Sequence, residues 1–354
     1  WFGDWGRDTM ISLAGLTLLT GRVERAERIL RTWAGFLRDG LLPNLFPEGT
    51  AAGEEPPGYN SADATLWFFE ALRQHRRASG SDGLIGDLFP QLEAVLRHHL
   101  RGTRFGISVD PADGLLRAGA GQLALTWMDA RPGPEPITPR HGKPVEVNAL
   151  WVNALRAMAG FAAALGRDPA PWNTLADRAA RGFQRFWSEE RGHCLDGLDG
   201  PTGDDASLRP NQLLAISLPE PLLSRSRGER VLEVCRRRLL TPFGLRSLDP
   251  ADPRYRGTYA GDGFLRDGAY HQGTVWAWWI GPFVRAHLRV HGDPGAARRF
   301  LEPLADHLGE ACVGSISEIF DGDPPHRPRG CFAQAWSVAE VLAAWAEVER
   351  PLHP

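Results

Sequence analysis

What this sequence lacks narrows it first. Its 354 residues include one lysine, Lys143, against 39 arginines, and only four cysteines. No apolar run approaches the ~20 residues a bilayer span needs, so no membrane partner is expected. A net charge of −3 leaves no basic stripe, and no nucleic-acid motif is present, so nucleic acid is not expected either. Cys194, Cys235, Cys312 and Cys331 form no C-x-x-C pair and keep no metal spacing with the eleven histidines. The expectation is therefore free thiols in a cytoplasmic protein, with no metal and no cofactor. The lysine shortage is the codon signature of a GC-rich genome and associates the chain with a bacterial source. An opening residue other than Met, inside a motif, leaves targeting signals unreadable from this end.

What is present is a repeat. The stretch Trp5-Gly6-Arg7-Asp8-Thr9 is a glycine-hinged polar loop that runs into an apolar helix at Met10. Polar residues at equivalent places are Asp8, Asp63, Asn148, Asn211, Gln272 and Gln334, each followed by an apolar helical run. The intervals are 55, 85, 63, 61 and 62 residues. Between these segments lie five amphipathic helices, predicted at 22–38, 85–101, 171–187, 228–240 and 295–308, with apolar residues at i, i+3 and i+4. Alternating buried and half-exposed helices describe a ring of hairpins with an inner and an outer layer, an all-α (α/α)6 barrel. Eleven helices are predicted, which makes the first outer helix the missing one. The expectation is a single catalytic domain over 1–354, a fragment of a longer chain whose N-terminal domain would be its partner.

The 85-residue interval carries a surplus between residues 101 and 145, read as short strands followed by a Pro-rich loop at 131–144. A shorter segment of the same kind, 312–322, precedes the last inner helix.

Helices that alternate in direction bring all inner-helix N-termini to one end. Asp8, Asp63, Asn148, Asn211, Gln272, Asp129 and Glu318 would then surround one cavity, together with some of the thirteen tryptophans. Amides, carboxylates and indoles without a metal or phosphate signature suit a neutral polyhydroxylated ligand, a carbohydrate. Cleaving a glycosidic bond takes one protonated and one ionised carboxyl group. Asp8 and Asp63, at helix starts, are predicted to stay charged and bind hydroxyls. Asp129, predicted at a strand end beside Trp127, and Glu318, between Ile316 and Ile319, can each be acid or base. Taken singly, the helix-start aspartates read as N-caps, the amides as buried groups holding loops, and Trp5, Trp127, Trp151, Trp276 and Trp336 as core.

The motifs Trp5-Gly6-Arg7-Asp8-Thr9, Asn60-Ser61-Ala62-Asp63, Thr126-Trp127-Met128-Asp129, Val145-Glu146-Val147-Asn148, Arg209-Pro210-Asn211-Gln212, Ser315-Ile316-Ser317-Glu318 and Ala333-Gln334-Ala335-Trp336 stand in this order along nearly the whole chain. Their set resembles the amylo-α-1,6-glucosidase domain of glycogen debranching enzymes. That resemblance implies a glucoamylase-type barrel that removes α-1,6-linked glucose from limit dextrins with inversion, acting on glycogen or α-glucan oligosaccharides. It implies Asp129 as general acid and Glu318 as general base. Arg7 and Asp8 would hold the glucose, and Asp63, Glu146 and Gln272 would add contacts, with Trp5, Trp127 and Trp336 as the indoles of the site. The rival readings are another (α/α)6 exo-glycosidase of the glucoamylase, trehalase or processing-glucosidase type, and a glucan-binding domain without catalysis.

Overall fold

A helix that is apolar on every face has to be covered on every face. The structure, a computed structural model that describes residues 3–46, 58–119 and 121–349, meets that demand with two concentric layers. Trp1 and Phe2 lie outside the described residues. In chain order the first helices are α1 (Gly6–Leu13, continuing as a π-turn to Leu18), α2 (Val23–Ala34), α3 (Ala64–Ser79) and α4 (Gly83–Arg101). There follow α5 (Val145–Ala164), α6 (Ala170–Phe183), α7 (Leu214–Ser217, entered through the 3-10 turn Pro210–Leu213) and α8 (Arg225–Arg238). The last are α9 (Gly263–Tyr270), α10 (Ile280–His291, entered through the 3-10 turn Ala277–Trp279), α11 (Pro294–Arg299), α12 (Glu302–His307) and α13 (Ala335–Val348).

α1 packs on α3, α3 on α5, α5 on α7, α7 on α10, α10 on α13, and α13 back on α1, which closes the inner ring. α2, α4, α6 and α8, with the broken pair α11 and α12, form the outer layer of this (α/α)6 toroid. Burial separates the layers. Sixteen of the twenty residues of α5 are buried, against four of twelve in α2, namely Ala26, Leu30, Trp33 and Ala34. Ring closure depends on Gly15, whose missing side chain lets the α1 segment touch the backbone of Ala339 in α13; a Cβ there would collide with the Ala339 carbonyl oxygen.

Three details depart from the expected repeat. α7 is a single turn, because Leu218 precedes Pro219 and adopts an extended conformation (φ −65°, ψ 158°) that ends the helix. Gln272 does not open an inner helix: Gly273 turns the chain at φ +148° into the strand Val275–Trp276, and α10 starts only at Ile280. Gln334, an amide that taken singly reads as a buried group holding a loop, is only half-buried and is the N-cap of α13, its side chain accepting from the Ala335 N–H.

The β structure lies in the loops. A hairpin pairs Ser108–Val109 with Leu116–Arg117 in the expected insertion. Residues 122–130 form no strand, so Asp129 sits in irregular backbone, tied down by the Ala62 N–H donating to the Leu125 carbonyl (2.7 Å) and the Ile137 N–H to the Ala130 carbonyl (3.1 Å). A five-stranded antiparallel meander, of which the sequence showed only the strand-like segment 312–322, runs through Leu240–Thr241, Gly244–Arg246, Val275–Trp276, Ile319–Phe320 and Pro328–Arg329. It carries Trp276 and delivers Glu318 at the start of its fourth strand.

Candidate active site

A cavity of about 1260 Å³ opens at the end of the barrel where α1 begins. Among the residues singled out in the sequence, Trp5, Arg7, Asp8, Trp127, Asp129, Trp276, Glu318, Gln334 and Trp336 line it.

On one wall the organising group is the Arg7 guanidinium, which is 2% exposed. Its Nε donates to both oxygens of Asp63 at 2.9 Å, its Nη2 to Ser61 Oγ at 3.4 Å and its Nη1 to Asp129 Oδ2 at 3.2 Å. Ser61 also donates to Asp63 (2.7 Å) and accepts the Ala64 N–H (3.1 Å). Ser61 is thus the side chain that caps α3, and Asp63, expected as a cap or a sugar contact, is a fully buried counterion behind Arg7. Burial raises the Asp129 carboxyl above the usual aspartate range, while the neighbouring Arg7 charge pulls it down. Asp8 departs from expectation in the same direction. Burial, reinforced by the charges of Asp129 and Glu318, lifts it to about 7 against the pull of Arg7, and outweighs the helix-start preference for the charged form.

A second wall is built around Glu318, 9% exposed. Tyr270 Oη donates to Oε1 at 2.5 Å, Gln334 Nε2 to Oε1 at 3.1 Å and the Cys331 N–H to Oε2 at 2.9 Å. The backbone is pinned as well: Glu318 N–H donates to the Cys331 carbonyl (2.8 Å), and its own carbonyl accepts from the Ala277 N–H (3.4 Å). Gly330 (φ +63°) is required here, since a Cβ at that position would collide with Glu318 Oε2. Burial and the adjacent Glu318 charge hold the Tyr270 phenol well above its ordinary pKa, so it keeps its proton.

The floor is aromatic. Trp127, 3% exposed, stands edge-on to His271 and Trp276, with ring centroids 5.2 Å away in each case. Its Nε1–H donates to Asn211 Oδ1 at 2.8 Å, and Asn211 in turn donates to Asp196 (2.8 Å). Trp336 stacks on Trp278 with centroids 5.3 Å apart. His271 is held neutral by burial.

Two further expected sugar contacts do not reach the cavity. Glu146 is buried in an ion pair with Arg140, whose Nη2 lies 2.7 Å from Oε2 and whose Nε also meets Asp196 at 2.7 Å. Gln272 Oε1 accepts from Arg209 Nη2 at 2.6 Å. A buried charge demands a partner, and these residues serve Arg140 and Arg209 as Asp63 serves Arg7. Asn148 is likewise structural: its amide accepts from the Leu116 N–H and donates to the Leu116 and Pro144 carbonyls, fastening the insertion to α5. Tyr259 and Tyr270, which sequence reading missed, line the cavity, as does Trp276, which taken singly reads as core. Tyr270 lies two positions before Gln272, one of the six repeat positions, so a signal lay beside a residue already singled out.

The profile of the amylo-α-1,6-glucosidase family matches residues 1–343. The glycogen debranching enzyme of Saccharomyces cerevisiae is 27% identical over 379 aligned residues, which cover 81% of this chain and 24% of that protein. The chain therefore spans about a quarter of that relative's length. Among solved structures, the mannosylglycerate hydrolase of Thermus thermophilus superposes with a TM-score of 0.70 at 18% identity, covering 98% of this chain and 93% of that one. An uncharacterised conserved protein of the same organism gives a TM-score of 0.71 at 19% identity, with 98% and 94% covered. At such identities the two structures speak for the toroid alone. A profile match over residues 1–343, which takes in both walls of the cavity, carries the stronger statement: the chain belongs to the amylo-α-1,6-glucosidase family of glycoside hydrolases.

Proposed function

We propose that this chain hydrolyses single α-1,6-linked glucose residues from a glycogen-type limit dextrin, with inversion and release of free glucose. The observation that carries the reading is the pair of carboxyl groups facing one indole-floored cavity, Asp129 raised in proton affinity by burial and Glu318 fixed by three hydrogen-bond donors. Asp129 gives its proton to the bridging oxygen as that bond breaks. A water attacks the anomeric carbon from the opposite face and passes a proton to Glu318. Inverting pairs hold their carboxyls roughly 6.5–9.5 Å apart to admit that water. Arg7 fits the step from the acid side: the carboxylate left on Asp129 after proton transfer is stabilised by the guanidinium already beside it. Nη1 and Nη2 each retain a further N–H for a sugar hydroxyl. The membership of the chain in its family, and the debranching activity for which the yeast relative is named, favour the α-1,6 stub as substrate.

A second reading has its own support. Arg266 lies at the mouth of the cavity, exposed, and no carboxylate among the described residues is hydrogen-bonded to its side chain. That cation suits a small acidic aglycone of the kind for which the Thermus protein is named. Incubating the protein with glycogen limit dextrin, maltose, trehalose and mannosylglycerate in parallel separates the readings. Glucose release fastest from limit dextrin is expected; turnover confined to mannosylglycerate, maltose or trehalose overturns the debranching assignment, and binding without release from any of them overturns catalysis.

A further inference from the structure

We infer that Tyr270 is a positioning residue for the base, and that it determines which oxygen of Glu318 receives the proton from water. The inference rests on the reading of Glu318 as general base. A carboxylate oxygen has two lone pairs in its plane. On Oε1 both are taken, by Tyr270 Oη (2.5 Å) and Gln334 Nε2 (3.1 Å). On Oε2 one is taken, by the Cys331 N–H (2.9 Å), and one remains. The proton from water therefore goes to Oε2, while Oε1 is a fixed hinge.

The hinge is itself locked. The Tyr270 carbonyl accepts from Thr274 Oγ1 (2.5 Å) and Trp276 Nε1 (2.9 Å), and its ring packs against Trp276 with centroids 4.8 Å apart. Gln334 cannot reverse its amide without losing the cap of α13, because its Oε1 accepts the Ala335 N–H at 2.9 Å. Both donors to Oε1 are thus neutral, oriented groups that carry no charge of their own into the site. Among the described residues, the other titratable or charged groups lining the cavity with Glu318 are Asp4, Arg7 and Asp8 at the start of α1, Tyr259, Arg266 and His271 on and around α9, Asp129, Cys331, and Arg329, which is occupied by Asp321.

Removing a donor from a carboxylate makes it easier to protonate. Tyr270→Phe keeps the ring and deletes one donor, so the acidic limb of the pH–rate profile should move up by about one unit, the basic limb set by Asp129 should stay, and kcat should fall about 10- to 100-fold with KM little changed. Gln334→Met, measured in the same way, should move the acidic limb in the same direction by less; it serves as the test should Tyr270→Phe not fold. A merely structural tyrosine would lower kcat or thermal stability without displacing one limb alone, and unmoved limbs overturn the inference. Glu318→Gln separates the two levels of the argument. If that variant is inactive and the Tyr270→Phe limb stays in place, only the positioning role fails; if it turns over normally, the base assignment fails and the role of Tyr270 with it.

Discussion

The two walls of the cavity hold their carboxyl groups by opposite means. Asp129 sits in irregular backbone beside a cation, and its proton affinity is the balance of burial against Arg7. Glu318 sits at the start of an inner strand of a sheet, and its three donors are neutral. On the proposed assignment of Asp129 as acid and Glu318 as base, the difference teaches how one cavity can keep the two apart. A cation next to the acid stabilises the charge that appears during the reaction, whereas neutral donors on the base fix its direction without adding a charge that would oppose protonation.

The sharpest way to break this contrast is to remove each carboxyl in turn. Asp129→Asn and Glu318→Gln should each lower kcat by about 10²–10⁴-fold while glucose binding persists in a calorimetric titration. Near-normal turnover in either variant removes that group from the pair.

Next in size is the support behind the acid. Asp63→Asn leaves Arg7 without its buried counterion and should cost about 3–5 kcal/mol in chemical denaturation. In the surviving protein Arg7 then acts on Asp129 alone and Asp63 no longer repels a charge there. The Asp129 pKa should fall, and the basic limb of the pH–rate profile should move to lower pH. No corresponding shift is expected on the acidic limb.

A smaller effect sharpens the distinction between lining and wall. Gln272→Leu leaves a buried donor of Arg209 unpaired and should cost about 1–3 kcal/mol of stability, with KM and kcat unchanged in the folded fraction. A large rise in KM would return Gln272 to the sugar contacts.

Asp8 gives the smallest change. Its folded pKa of about 7 lies above the unfolded value, so its contribution is present at low pH and is lost as pH rises through about 7. Asp8→Asn should therefore raise Tm at pH 8 by roughly 1–2 °C, the effect of about 1 kcal/mol in a chain of this size, and leave Tm at pH 4 nearly unaltered. Equal shifts at both pH values would show that burial does not raise Asp8.

How far the sequence could be read follows from the range of each signal. The helical period is sustained over many residues, so the outer helices were placed closely: 85–101 predicted against Gly83–Arg101, and 228–240 against Arg225–Arg238. The inner ring was visible because α3, α5 and α13 are apolar over three turns or more. Apart from segment 312–322, the meander that presents Glu318 was not visible, since strands of two or three residues are too short to show alternation. The Gln272 register failed at Gly273, where one positive-φ residue changed helix into strand. Side-chain partners were the least legible. Nothing local tells that Asp63 turns away from its own helix to Arg7, 56 positions earlier, or that Tyr270 meets Glu318, 48 positions later. Arg140 lay in a segment read only as a Pro-rich loop, yet it neutralises Glu146 and Asp196 in the interior.

The pairing of an acid on one wall with a base on the other is tested most directly by the configuration of the first sugar released. Proton NMR of limit dextrin hydrolysis, followed before mutarotation equilibrates the anomers, should show β-glucose appearing first from the α-linked stub. Initial release of α-glucose would mean that the carboxyl on the second wall attacks carbon itself, and would contradict the assignment of Glu318 as a base acting through water.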